Sequence, residues 1–582
     1  MKLDDLHKEA LERFKIAEEG WHDIYEEALD DLRFVYDVDG GQWPDEIRKD
    51  RKGRPMITVN KLIKFVRQLR NELRINKPHI KVVPVDNVAD PKTARLYEAL
   101  IRQIEYLSSA EIAYDTAYMN AVAASIGFFR ITTRYSSPYS FEQDIYINRI
   151  MNPFSVHYDP TATDFNFTDA KYCFVDEWIG KKEFKSRYKG ADVSSIEGSM
   201  TGQVRSLWFK EDKVRVSEYF YKDTKKQKIV LAEKKNPDTG VPMRFTAILD
   251  DRIKQEAADG EITVLKERDS EFEVVKWAKI SGTEILEDPK DWPGKYIPVI
   301  PVIGDEIVVN GKRYLLSLAR GAKGPQRMYN YWASAATETV ALAPKMPYVV
   351  EHRQIHGFER EWEEANIKNR MYIRYKHVPG LDRPRREPQA QVPTAMITMM
   401  QTTHFDLEDQ LGRYEAAKGA QSNERSGKAI LARVAQSDKS TFNFVDNLSR
   451  AIVYAGKQLI DLIPKIYDTH RAVRILGEDG SEEVVEVNAP TGKIDPITNK
   501  PIIANDLTVG QYDVIATVGP SYTSRRQEAV QMMVQAMQYA PMAAPVLAPL
   551  IFKYSDWPGS EEIANELKQY LTAMAQKGGE KK

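Results

Sequence analysis

A single cysteine, Cys173, in 582 residues leaves no partner for an internal disulfide and no paired thiolates for a zinc site, and it fits a reducing compartment. Charge of either sign is not in excess: 83 Lys and Arg stand against 85 Asp and Glu, a net charge of −2. Affinity for duplex DNA comes from displacing counterions from phosphates, so a protein that grips DNA over its whole surface carries a basic excess. This chain as a whole is therefore not a tight, nonspecific DNA binder. Long apolar runs are missing too. The opening "MKLDDLHKEALERFKIAEEG" lacks the uninterrupted apolar stretch of a signal peptide, and "YAPMAAPVLAPLIFKY" (Tyr539 to Tyr554) is interrupted by prolines. No membrane span is expected.

Catalytic signatures are equally scarce. Gly427-Lys428 suggests a phosphate loop, but such a loop needs a second glycine five positions earlier and Ser or Thr after the lysine. Those places hold Ser422 and Ala429. The "GAKG" at Gly321 to Gly324 lacks the strand-turn-helix spacing of a dinucleotide site, and no nucleophile-elbow pattern occurs. His352 and His356 are four apart and can meet on a helix, yet no third metal ligand accompanies them. Acidic pairs such as Asp30-Asp31 and Glu363-Glu364 read as solvated faces. No constellation calls for a catalytic role, a metal or a cofactor.

What is present is a chain of 42% hydrophobic and 29% charged residues, the balance of a globular protein long enough for several domains. Leu3, Leu6, Ala10, Phe14, Ala17, Trp21, Ile24, Ala28, Leu32 and Val35 recur at three and four, which predicts a long amphipathic helix. A breaker-rich loop follows, then a helix from near Val59, an extended "HIKVVPVD" and two helices up to about residue 127. From Phe128 the pattern alternates. "FFRITTRY" and "QDIYINRI" flank a Ser-Ser-Pro turn as a hairpin, and separate strands are expected in "KVRVSEYFY", "KKQKIVLAE", "EITVLKE" and "FEVVKWAKI".

A helix returns after Gly324-Pro325 and is stopped by Pro344 and Pro347. Between Arg327 and Lys345 its only charge is Glu338, so it is enclosed on most sides, either inside one large domain or against other chains. Tyr348 to about Arg386 reads as a small strand-helix-strand insertion, and Thr394 opens another helix. The spacing of Val445, Leu448, Ile452, Ala455, Leu459, Leu462 and Ile466 predicts a long helix. Coiled-coil pairing is an alternative, but Pro464 breaks the run, and packing on a domain core is favoured.

Several strings, in this order along the chain, together resemble the portal proteins of tailed bacteriophages, the P22-like group. They are "GRPMITVNKLIKFVRQLRNELRINKPHIKVVPVD" (Gly53 to Asp86), "NPFSVHYDPTATDFNFTDAKYCFVDEW" (Asn152 to Trp178), "GPQRMYNYWASAATETVALAPK" (Gly324 to Lys345), "NERSGKAI" (Asn423 to Ile430), "FVDNLSRAIVYAGKQLIDLIPKIYD" (Phe444 to Asp468) and "NDLTVGQYDVIATVGPSYTSRRQEA" (Asn505 to Ala529).

The resemblance implies an α+β, mainly helical portal fold of wing, stem, clip and crown. Residues 1–127 would be the helical part of the wing, 128–316 its β-rich part, 317–343 the first stem helix and 344–393 the clip. Residues 394–418 would be the second stem helix, 419–470 a channel loop and long helix, 471–520 returning wing strands, and 521–582 a crown and C-terminal helical segment with little or no barrel.

The function so implied is a noncatalytic ring, usually of twelve subunits, at one capsid vertex. It would serve as a conduit for double-stranded DNA in packaging and ejection and as a docking platform for terminase and head-tail adaptor proteins, set among major capsid and scaffolding proteins. Small residues such as Ala336 would let neighbouring stem helices approach, with Met328, Tyr331, Trp332 and Val340 as anchors. Lys418, Arg425, Lys428 and Arg433 would touch passing DNA, and near-neutral charge would keep friction low. Glu359, Arg360, Glu361, Glu364, Arg383, Arg385 and Arg386 would meet the motor and adaptors, since mixed charge steers exchangeable docking. The competing reading is an oligomeric DNA-processing enzyme or ATPase of a phage.

Overall fold

Helix α1 (Leu3–Tyr36) has the predicted stripe and runs along three separate cores. Leu6, Ala10, Phe14 and Ala17 pack with Phe174, Trp208 and Tyr219. Trp21 joins Ile126, Phe128 and Phe167, while Phe34 and Val35 join the main cluster with Leu62, Phe65 and Val66. Thirty-four residues make a rod of about 51 Å, long enough to tie these cores together. The computed structural model describes residues 3–75, 78–86, 89–189, 203–235, 242–249, 251–260, 262–342, 348–365, 367–368, 370–386, 394–411, 442–476, 482–494, 501–518, 522–539 and 544–554, with a few positions beyond.

After α1 the chain crosses a short helix, α2 (Asp45–Asp50), and enters α3 (Leu62–Ile75). The Asn60 side chain accepts from Ile63 N at 3.1 Å and so caps the start of α3. Strand β1 (Pro78–Pro84) leads to α4 (Pro91–Ser108) and α5 (Ala110–Ala124). Helix α5 lies directly on β2 (Ile126–Tyr135). A Cβ on Gly127 would stand 2.0 Å from the Ala117 carbonyl oxygen, so only glycine permits this approach. β2 pairs with β3 (Gln143–Arg149) as the expected hairpin, and later with β11 (Val299–Ile303).

The main sheet holds β4 (Val156–Tyr158), β5 (Tyr172–Gly180), β7 (Lys213–Lys235), β9 (Thr263–Ser281) and β10 (Ile285–Asp291), all antiparallel. The short β6 (Phe209–Lys210) and β8 (Pro242–Ile248) flank β7. The four strands expected over this region are two long ones. Their polar middles resemble turns but hold no Gly or Pro, and Lys226 pairs across to Glu271 at 3.1 Å and Lys222 to Glu273 at 3.3 Å. Beyond that neck a small cluster of Val230, Ala232, Ile253 and Ile262 closes the far end.

Strands β12 (Asp305–Val309) and β13 (Lys312–Leu316) form a hairpin that leads into α6 (Leu318–Leu342). This helix begins seven residues before Pro325, earlier than its sequence signal. Its first turns are held by tertiary contacts. Ala319 and Ala322 are fully buried, and the fully buried Asp31 of α1 takes Ser317 Oγ at 2.7 Å, Arg320 Nη2 at 2.8 Å and Lys323 Nζ at 2.5 Å. That anchoring outweighs the hydrogen bond lost at Pro325.

Next come β14 (Tyr348–Val349), paired with β15 (Arg385–Arg386), and the helix α7 (Thr394–Gln410) packed on α6. Helix α8 (Phe442–Ile466) continues through Pro464, because Leu462, Ile463 and the following Tyr467 are buried. It packs on the main core of its own domain, as favoured over a coiled coil. Late in the chain β16 (Arg471–Leu476) pairs with β17 (Glu482–Val487), and β18 (Ala489–Ile494) with β19 (Pro501–Ala504). β20 (Tyr512–Val518) returns to pair with β1, closing a loop of more than 400 residues. Two helices, α9 (Tyr522–Tyr539) and α10 (Ala544–Tyr554), follow and pack on each other. The arrangement is mixed α+β.

Candidate functional site: the α6–α7 helix pair and its insertion

Helix α6 has two contrasting faces. Gln326, Asn330, Ser334 and Glu338 recur every four residues and form one stripe turned into the molecule. Gln326, Asn330 and Ser334 are fully buried. They serve as acceptors for a strap of irregular backbone between α2 and α3. Ile57 N donates to Ser334 Oγ at 2.8 Å, Val59 N to Asn330 Oδ1 at 3.0 Å, and Lys61 N to Gln326 Oε1 at 3.1 Å. Gln326 Nε2 returns a bond to Val59 O at 2.8 Å, and Asn330 Nδ2 donates to Gln42 Oε1 at 2.8 Å.

The stripe ends at Glu338, which meets Arg51 Nη2 at 2.8 Å. An irregular segment packed on a helix needs partners for its amides, and this stripe supplies them. It explains why the helix is polar without being charged. Sequence reasoning treated the small and hydroxylic residues as places for a neighbouring copy; the four-residue spacing of Gln, Asn, Ser and Glu was the signal available.

Away from this stripe α6 packs in part on α7 and leaves several large side chains exposed, one of which, Tyr331, has the Arg51 guanidinium over its ring at 5.4 Å. Met328, Tyr331 and Val340 are 47%, 40% and 55% exposed. Ala336 is half-buried. Trp332 differs from the other proposed anchors: it is half-buried within its own chain, edge-on to Tyr331 at 5.7 Å, with its indole Nε1 buried and unbonded. On α7, Leu407 and the following Leu411 enter the main core, whereas Ile397, Met399 and Phe405 are exposed. The helix pair is thus rooted at one end and carries unpaired apolar side chains along its length.

The insertion between α6 and α7 spends its charges locally. Glu359 accepts from Gly357 N at 2.9 Å, and that backbone contact, with its own amide and His356, lowers its carboxyl to about 2. Glu364 is lowered to about 2 by Lys368, then by Arg370 and Arg360. Glu361 binds Arg374 and is lowered by it. Arg386 stacks on Tyr348 at 5.3 Å, whereas Arg383 and Arg385 are exposed and unpaired among the described residues. Of the residues expected to dock a motor, Arg383, Arg385 and Arg360, the last bound only to Glu364 at 3.2 Å, have the freest charge. Sequence reasoning missed Ile367, Met371 and Tyr372, which are 81% exposed, fully exposed and 75% exposed. The apolar spacing in "IKNRMYIRY" was the cue.

Lys418, Arg425, Lys428 and Arg433 lie outside the described residues. His352 and His356 stack at 6.4 Å, and among the described residues no group of three His, Cys, Asp or Glu side chains could hold a metal. A cleft of about 810 Å³ opens between β2, β7, β10 and the end of α8, but much of its charge is already engaged: Arg130 meets Glu218 at 3.0 Å, Trp277 Nε1 donates to the same carboxylate at 3.1 Å, and Asp291 and Lys465 pair with Lys225 and Asp461 outside the lining. Among the described residues no helix is long and apolar enough to cross a membrane.

Residues 11–582 match the family model described as phage P22-like portal protein. The portal protein of Acyrthosiphon pisum secondary endosymbiont phage 1 is 25% identical over 557 residues, an alignment that covers 92% of this chain and 76% of that protein.

Proposed function

Because the chain belongs to the phage P22-like portal protein family, we propose that its portal role is that of a twelve-subunit ring at one capsid vertex, through which double-stranded DNA is packaged and later ejected. In this reading α6 and α7 are the stem and residues 344–393 the clip. Terminase docks on the clip during packaging, head-tail adaptors replace it, and capsid and scaffolding proteins surround the wing. Lys418, Arg425, Lys428 and Arg433 touch DNA without holding it. The ring is a structural part, and ATP hydrolysis belongs to the separate terminase.

The observation that carries this reading is the two-sidedness of α6. One stripe is engaged with its own chain through Gln326, Asn330, Ser334 and Glu338, while Met328, Tyr331 and Val340, elsewhere around the helix, stay 40–55% exposed, Tyr331 beside Arg51. A second copy of the helix pair, with Ile397, Met399 and Phe405 exposed on α7, supplies apolar surface of the same kind. Burying such side chains stabilises a contact by roughly 25 cal/mol per Å².

Val340→Asp puts a charge into that contact without touching the strap. Native mass spectrometry should find folded monomers in place of rings, with at least a tenfold loss of the assembled fraction. Undiminished rings would refute the stem assignment. Turnover of ATP by the purified protein with Mg²⁺ and DNA, abolished by Lys428→Ala, would refute the noncatalytic role.

A further inference from the structure

The first 75 residues sort their charge by element. Helix α1 carries eleven carboxylates against four Lys and Arg, whereas residues 42–75 carry ten Lys and Arg against four carboxylates. Much of the acid on α1 is satisfied within the chain: Asp31 by Arg320 and Lys323, Asp30 by Lys323, Glu27 by Arg320 and Asp23 by Lys312. Glu12, Glu19 and Glu26 are not. All three are exposed on one stripe seven residues apart, and among the described residues their ionic contacts are limited to Lys15 at 3.8 Å from Glu19 and His22 at 3.5 Å from Glu26, both on the same helix. Ile16, 46% exposed, lies beside them.

Helix α3 presents the opposite. Lys64, Arg67, Asn71 and Arg74 follow one another at steps of three and four and are all exposed. Lys64 and Arg67 make no ion pair among the described residues, and Arg74 shares Asp115 with Arg70. Seven residues of helix rise about 10.5 Å. Arg67 and Arg74 therefore have the same axial separation as Glu12 and Glu19, or Glu19 and Glu26.

A ring closed by one repeated head-to-tail contact needs two different, complementary surfaces on each subunit. These stripes are such a pair: opposite in sign, equal in period, and engaged within the chain only at Arg74, by Asp115, and by weak same-helix contacts at Glu19 and Glu26 among the described residues. We propose that the acidic stripe of α1 in one subunit docks on the basic stripe of α3 in the next copy. The proposal rests on the ring reading above and adds to it a contact outside the stem. Exposed ion pairs contribute little each and are screened by salt. The contact therefore steers approach and sets the order of subunits, while the apolar α6–α7 faces supply affinity.

The test uses two full-length variants, Lys64→Glu with Arg67→Glu, and Glu12→Lys with Glu19→Lys and Glu26→Lys. Each alone has two stripes of one sign and should lose at least tenfold of its ring fraction in native mass spectrometry at low ionic strength. Mixed in equal amounts they regain two complementary contacts and should form rings containing equal numbers of both, an outcome that misfolding cannot produce. Undiminished rings from either variant alone, or no rings from the mixture, would overturn the proposal. Intact rings of the α3 variant that retain duplex DNA more weakly would assign the basic stripe to DNA and overturn it too. A wild-type chain that never forms rings would instead refute the ring reading on which it rests.

Discussion

Replacing Asn330 by alanine tests whether the polar stripe of α6 holds the strap between α2 and α3. The Asn330 side chain takes Val59 N at 3.0 Å and Gln326 Nε2 at 3.1 Å, and donates to Gln42 Oε1 at 2.8 Å. Gln326 keeps its bond to Val59 O when Asn330 is lost. Val59 N and Gln42 Oε1 do not keep a partner, and Gln42 is fully buried. A buried group left unsatisfied costs about 1–3 kcal/mol; Gln42 Oε1 bears most of this and the amide of the 38% exposed Val59 less, so about 3 kcal/mol is expected at most for the two together.

If that loss falls on the local opening of the strap, amides of residues 57–62 should exchange about a hundredfold faster, since 1.4 kcal/mol is about tenfold. Hydrogen exchange read by mass spectrometry on a peptide spanning the strap measures this directly. Ser334→Ala, which takes the acceptor from Ile57 N and a long 3.5 Å contact from Ile57 O, should give a smaller acceleration, and the exposed Val340→Ala none. Exchange in Asn330→Ala within threefold of the wild type would refute the claim that side chains of α6 satisfy the strap's backbone.

Three further outcomes follow from buried or crowded positions. Burial, the leading cause, pushes the Glu105 carboxyl up to about 7, even though the Tyr114 hydroxyl donates to it at 2.9 Å. The folded chain then keeps a proton that the unfolded chain releases near 4.5, so stability is lost as pH rises from about 4.5 to about 7. Glu105→Gln should flatten that slope in urea denaturation across the window. Gly127→Ala drives a Cβ into the Ala117 carbonyl and should cost about 3 kcal/mol or more, seen as loss of soluble, cooperatively melting protein. Asp31→Ala removes the buried acceptor of Ser317, Arg320 and Lys323 but leaves Arg320 its pair with Glu27 and Lys323 its pair with Asp30; it should cost about 1–3 kcal/mol, read as a lowered urea midpoint.

Local pattern carried much of the fold. The three-and-four spacing from Leu3 to Val35 and from Val445 to Ile466 returns as α1 and α8, and the alternation around the Ser-Ser-Pro turn as the β2–β3 hairpin. The two prolines show what local pattern leaves out. Pro325 and Pro464 each remove a backbone bond, and they were read as the start of one helix and as a break in the coiled-coil run of the other. Both helices run through because neighbouring side chains are buried or ion-paired in contacts distant in sequence. The polar necks of β7 and β9 were read as breaks because each strand's charges were seen without the partner that neutralises them.

The residues proposed as interface anchors divide in the same way. Sequence alone determined that α6 would be a helix with almost no charge, and that Met328, Tyr331 and Val340 would be among its large side chains, because composition and period are properties of neighbours along the chain. It could not determine which face was already occupied. Tertiary structure decided that Gln326, Asn330, Ser334 and Glu338 bind the strap near residues 51–61, that Trp332 is half-buried, and that Met328, Tyr331 and Val340 are left open. The physical reason is that a hydrogen bond or a buried area belongs to two groups at once, and here the second group lies more than 250 positions away.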